Sequence, residues 1–289
     1  MHRITLGAVA YDPKVVTIWE GFRAWFAAQG LELDFVLYQS YERQVLGTFR
    51  GEHDVAWASP LAWLQTERLA ATLGRQATGF CMRDTDQGLC SVLAVRADSG
   101  IRSLSDLRGR TVAVGAPDSP QATLIPLRLL QVAGLEPGRD FAIQVHDVLS
   151  GKHGDHVGGE RLAARSLVAG HADAACMIDG NHLAFSADGT LPAGSSRILA
   201  TTPPYDHCIF AALDGLDPVL LDRFRSLLLG QRHDDPQVRP LLDLEGLKQW
   251  RPGRTSGFDQ LAAAVDHLSF GGARDVRAFL VAAARELGG

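Results

Sequence analysis

The sequence predicts an α/β fold with a mostly parallel sheet, spread over two domains. Three observations carry this reading. Short apolar runs rich in β-branched residues alternate with amphipathic stretches of helical period. At 289 residues the chain is long for a single core, and its 46% hydrophobic content supplies material for two. The rhythm then changes at Cys90–Arg96, where a strand leads into a turn and a short serine-capped helix before a second α/β unit starts at Thr111.

In chain order, "RITLGAV" predicts a first strand. Lys14 to Gln29 follows as a helix that buries Val15, Ile18, Trp19, Phe22, Trp25 and Phe26, and "LELDFVLY" as a second strand. A helix around Ser40 to Arg50, the strand "DVAWA" and a helix from Pro60 to Leu73 continue the alternation. After Thr111 come a helix opening at Pro120, the strand "FAIQVHD", a helix from about Gly159 to Val168 and the strand "ADAACMI". "RILATT" and "CIFAAL" read as strands, and Pro218–Leu229, Phe258–His267 and Gly271–Leu287 as helices.

Composition excludes several function classes. A formal net charge of −5 without any long basic run argues against a general affinity for nucleic acid or anionic membrane. No stretch approaches the roughly 20 apolar residues of a membrane span, so no membrane insertion is expected. The apolar run before Tyr11-Asp12-Pro13 is too short for a signal peptide and reads as a strand. That start predicts a cytoplasmic protein, or a periplasmic or extracellular one if a leader has been removed. Cys81, Cys90, Cys176 and Cys208 have no C-x-x-C spacing, as expected of reduced thiols.

The stretch "TVAVGAPDSPQATLIPLRLL" has the form strand, turn, helix. Asp118 or Ser119 would be the N-cap and Pro120 the first helical residue, with Leu124, Leu127 and Leu130 on the buried face. Such a helix start favours an anion or another acceptor. Tyr11 and Ser59, each just past a strand, stand where ligand loops of an open α/β lobe are found; a plain helix cap is the alternative for Ser59. Asp179-Gly180-Asn181-His182 follows another strand, with an Asx turn in which Asn181 is a helix N-cap as the alternative. Tyr205-Asp206-His207-Cys208 reads as hinge, ligand wall or both. In a strand, His207 and Cys208 would point oppositely and make no nucleophile–base pair. In "HDVLSGKHGDHVGGERL", His153, His156 and Glu160 have donors competent for Zn or Fe, with Asp155 and His146 nearby; a solvated glycine-rich loop is the alternative.

The segment "SLSDLRGRTVAVGAPDSPQATLIPLRLLQVAGLEPGRDF", with "GEHDVAWASPLAWL" and "LVAGHADAACM", resembles the phosphate/phosphite/phosphonate group of ABC-transporter substrate-binding proteins. The resemblance runs from about Ile4 to Phe270. It implies a two-lobe, periplasmic-binding-protein-like (Venus flytrap) fold with two chain crossovers: residues 1–92 and 205–289 in lobe 1, 93–204 in lobe 2. It also implies a small-molecule ligand held in the cleft between them. Ser119, Gln121 and Thr123 would occupy the family's Ser-Thr-Ser turn; Ser119 matches it, whereas Pro120, Gln121 and Ala122 replace a threonine, a serine and a glycine. Counting back from Asp173, Glu160 falls where the family often places a ligand-binding histidine. Asp179 would accept hydrogen bonds from the ligand's amine or acid protons, and Tyr205 would stand near the second crossing.

Two main functions stay open on the sequence, with a lesser third. One is a binding protein for a small polar or anionic, phosphonate-like metabolite, with a transporter as partner. The other is a cytoplasmic enzyme on the same fold, using the His/Asp/Glu-rich loop for acid–base or metal-assisted chemistry. A cytoplasmic sensor or carrier that hands its ligand to a partner enzyme is a third. No residue is assigned a catalytic role.

Overall fold

The computed structural model describes residues 3–153 and 158–288. These divide into two compact units: Met1–Gln87, Asp206–Phe258 and Phe279–Gly289 make the first, and Gly88–Tyr205 with Asp259–Ala278 the second.

In chain order the first unit opens with β1 (Arg3–Val9), α1 (Lys14–Ala28), β2 (Glu32–Tyr38), α2 (Tyr41–Phe49), β3 (Val55–Ala58), α3 (Pro60–Thr72) and β4 (Ala77–Arg83). The second unit follows with β5 (Ser91–Arg96), β6 (Thr111–Val114), α4 (Ile125–Val132), β7 (Ala142–Val145), α5 (Gly158–Val168), β8 (Ala174–Ile178), α6 (Asp179–Ala187) and β9 (Ser196–Thr201). The chain returns through β10 (Ile209–Leu213), α7 (Pro218–Leu229), α8 (Arg239–Glu245) and β11 (Trp250–Pro252). It ends with α9 (Asp259–His267) and α10 (Gly271–Gly288).

The first unit holds a six-stranded sheet of order β11-β4-β10-β3-β1-β2, the second a five-stranded sheet of order β7-β6-β8-β5-β9. Both are mixed, which corrects the expected mostly parallel sheet. β1 runs parallel to β2 and β3, and β6 parallel to β7 and β8. β10 is antiparallel to β3 and β4, β11 to β4, and β5 to β8 and β9. A strand's apolar pattern is the same whichever way it runs, so direction was not readable from it.

The first core is aromatic. Phe210 on β10 lies at ring-centroid distances of 4.7 Å from Trp57, 5.4 Å from Trp250, 5.6 Å from Phe224 and 5.8 Å from Phe80. α1 adds Ile18, Trp19, Phe22 and Phe26 to it, as its periodicity predicts. In the second unit, the cluster between the sheet and α5 is rich in small residues: Ala94, Ala113, Ala163, Ala164, Ala172 and Ala175 pack with Val92, Leu167, Met177, Phe185 and Leu191.

The segment 259–278, read from the sequence as part of the first lobe with the rest of 205–289, groups with the second unit. α9 packs on α4, and the Gln131 amide donates to the His267 carbonyl at 3.1 Å. Gln260 likewise donates to the carbonyls of Pro203 and Pro204 at 2.8 and 2.7 Å.

Candidate functional site

The turn after β6 is where sequence and structure meet most closely. Ser119 is the N-cap: its Oγ accepts the Ala122 N–H at 3.2 Å. Asp118 takes the Gly151 N–H at 2.6 Å instead. Leu124, Leu127 and Leu130 are fully buried, as their spacing predicts. The first turn is not α-helical. Residues Pro120–Leu124 form a π turn in which the Leu124 N–H reaches the Ser119 carbonyl at 2.9 Å and Ile125 reaches Pro120. Pro126 explains the change: it has no N–H to give to the Ala122 carbonyl, and that carbonyl accepts from Gly115 at 3.3 Å.

Gln121 and Thr123 serve the turn itself. The Thr123 hydroxyl, fully buried, donates to the Ala116 carbonyl at 2.8 Å. The Gln121 carbonyl accepts from Ser91 Oγ at 2.6 Å, and Ser91 Oγ lies 2.7 Å from the Tyr205 hydroxyl. A serine has one hydroxyl proton. Since the carbonyl can only accept, that proton belongs to the Ser91–Gln121 bond, and Tyr205 is the donor to Ser91. The remaining lone pair of Tyr205 can only accept. Burial pushes the Tyr205 phenol far above its ordinary pKa, with the charges of Glu160 and Asp179 adding to the shift against the Ser91 hydrogen bond.

Glu160 is brought beside this turn by two glycines. A Cβ on Gly159 would stand 2.9 Å from the His146 carbonyl oxygen and 3.1 Å from Gly115 Cα, so only glycine lets the start of α5 approach the end of β6 so closely. Glu160 is 2% exposed; its Oε2 accepts from the Ile178 N–H at 3.0 Å and from Asn181 Nδ2 at 2.8 Å. Because β6 and β8 are parallel neighbours, the Ser119 turn and the Glu160–Asn181 pair stand at the same end of the second sheet. Asp179 is exposed and accepts from the Gly180 N–H at 2.7 Å. Asn181, which the sequence suggested as a helix cap, reaches Glu160 instead, and Ile178 holds the cap position.

Tyr11 and Ser59 belong to the first unit. Ser59 caps α3, its Oγ accepting the Ala62 N–H at 3.1 Å, and is fully buried. Tyr11 is partly buried against the aromatic core, with the Lys14 ammonium 5.8 Å from its ring centroid. Of the metal donors suggested by sequence, His153 is fully buried with a left-handed backbone at φ 48°, Glu160 is placed as above, and His156, with Asp155, lies outside the described residues.

One sequence reading is overturned. His207 and Cys208 precede β10 rather than lying in it, so strict alternation does not apply, and His207 Nδ1 comes within 3.1 Å of Cys208 Sγ.

Residues 8–258 match the family described as ABC transporter, phosphonate, periplasmic substrate-binding protein. The chain belongs to that family. Members are small-molecule-binding proteins, and the two-lobe periplasmic-binding-protein fold expected of them is supported by solved structures. PhnD1 of Prochlorococcus marinus, solved with methylphosphonate, gives a TM-score of 0.65 at 16% identity over 91% of this chain and 97% of that one. A Xanthomonas citri protein solved with chloride ion gives 0.68 at 21% identity over 95% and 98%. A binding-protein component of an ABC phosphonate transporter from Pseudomonas aeruginosa gives 0.62 at 16% identity over 99% and 96%. Among the described residues no helix is long and apolar enough to cross a membrane.

Proposed function

We propose that this family member captures a small phosphonate- or sulfonate-like anion that also carries a hydrogen-bond donor, and delivers it to an ABC transporter. The observation that carries the reading is the pairing, at one end of the second sheet, of the Ser119-capped turn with the buried Glu160 carboxylate. The turn suits an oxyanion. Glu160 and the remaining lone pair of the Tyr205 hydroxyl oxygen suit an ammonium or acid proton on the same ligand. Without such a proton, a dianion near Glu160 would be repelled: two like charges about 4 Å apart cost roughly 4 kcal/mol at an effective dielectric of 20.

The family description is periplasmic, and delivery to an uptake transporter requires capture outside the cytoplasm. We therefore assign the working protein to the periplasm, the second of the two locations that the sequence left open.

Isothermal titration of the full chain with methylphosphonate, methanesulfonate and an aminoalkylphosphonate tests the ligand class. The aminoalkylphosphonate is expected to bind at least tenfold more tightly than methylphosphonate. Absence of binding by all three at millimolar concentration would exclude the proposed class.

A further inference from the structure

A second cluster of donor atoms lies in the first unit. Asp86, His207 and Cys208 each offer one atom, all within 4.8 Å of one another, and the three residues are 2%, 8% and 2% exposed. His207 Nδ1 is 3.1 Å from Cys208 Sγ and 3.5 Å from Asp86 Oδ1. The backbone supports the arrangement, because the His207 N–H donates to the Asp86 carbonyl at 2.8 Å.

We propose that these three side chains form a site for one divalent zinc-class ion. Zinc bonds of about 2.3 Å to sulfur and about 2.0–2.1 Å to nitrogen and oxygen put tetrahedral donors roughly 3.4–3.6 Å apart. The observed separations of 3.1 and 3.5 Å, with all three atoms within 4.8 Å, need shifts of only a few tenths of an ångström to a little over one to reach that spacing. Thiolate, imidazole and carboxylate together form a set that zinc accepts, and three protein ligands leave a fourth position open. Binding would release the Cys208 thiol proton to solvent and leave His207 neutral.

The surroundings are those of a supported ligand set. Arg83 donates to both oxygens of Asp86, at 2.6 and 2.9 Å, and fixes the carboxylate plane while each oxygen keeps a further lone pair. Glu245, 3.3 Å from Arg83, offsets the guanidinium charge that would otherwise repel a cation. The Arg83 guanidinium also lies 5.3 Å from the centroid of the Trp57 ring, a cation–π contact that adds to its restraint.

The test uses the full chain, stripped with a chelator and titrated with Co(II) and Zn(II) alone. One equivalent of Co(II) should bind with a thiolate-to-cobalt charge-transfer band. Cys208→Ser should abolish the band, and His207→Gln should weaken affinity at least tenfold, while His153→Ala leaves both unchanged. No band in the native chain, or a band that survives Cys208→Ser, overturns the site. Should either variant fail to fold, X-ray absorption of the native zinc complex decides. One sulfur among nitrogen and oxygen neighbours supports the proposal, and a shell without sulfur or with two overturns it.

Discussion

The two units bury their interiors differently. All five tryptophans, Trp19, Trp25, Trp57, Trp63 and Trp250, lie in the first unit, where Trp19 meets Phe210 edge to face and Trp57 and Trp250 lie tilted against it. The second unit has no tryptophan, and alanines fill the space between its sheet and α5. Large rings gain much burial energy per residue and hold a rigid shape. Alanines gain less, but they let helix and sheet come close enough to set Gly159 against Gly115 and Glu160 beside the Ser119 turn. The contrast teaches that the first unit is stabilised by bulk and the second by close approach. The two should therefore fail under opposite kinds of substitution.

The largest effect is expected from Phe210→Ala. Deleting a fully buried ring at the centre of the aromatic core should cost about 3–5 kcal/mol, read as an earlier denaturant midpoint by tryptophan fluorescence. A loss below about 1 kcal/mol would show that the aromatic core repacks freely.

Next comes an effect of pH on the first unit. His53 is buried with Tyr38 and Thr48 each 2.9 Å from its ring nitrogens, and burial pushes its pKa down to about 4 against a weaker upward pull from Glu52. Since the unfolded imidazole titrates near 6.5, the unfolded chain binds the extra proton between these values. The stability His53 contributes is therefore full above about pH 6.5 and is lost as the pH falls towards 4, by up to about 3 kcal/mol. The melting-temperature gap between the native chain and His53→Gln should narrow over that window; a constant gap would contradict a neutral buried imidazole.

In the second unit the sign of the size change reverses. Ala175→Leu adds volume between β8 and its neighbours in a core without space, and should cost about 1–3 kcal/mol in chemical denaturation. A neutral or stabilising outcome would mean that the alanine core is loosely filled. The smallest effect is that of Ser119→Ala, where loss of one N-cap should cost about 1 kcal/mol. A cost above about 3 kcal/mol would mean that Ser119 does more than cap.

How far the sequence disclosed this arrangement depended on range. The Ser-Pro pairs at 59–60 and 119–120 announced two caps, because a cap is a contact over three residues. The Ser91–Tyr205 bond spans 114 residues and left no local trace. β4 went unread because Gly79 interrupts its apolar run; the glycine is there because a side chain would meet Ile209. β11 and α8, at three and seven residues, are too short to show a period. Glu160 was visible as a departure from the family's residue, whereas its partners Ile178 and Asn181 came only with the fold. The His207–Cys208 approach was missed because strand geometry was assumed one residue too early.

The central claim is that Glu160 reads a proton on the ligand from the second unit. Titration calorimetry of the native chain and of Glu160→Gln, each with an aminoalkylphosphonate and with methylphosphonate, measures this directly as a ratio of ratios. A hydrogen bond to a charged partner is worth about 1.5–3 kcal/mol, so the native preference for the amine-bearing ligand should fall by roughly tenfold or more in the variant. An unchanged preference, with both proteins folded and binding, would contradict the account.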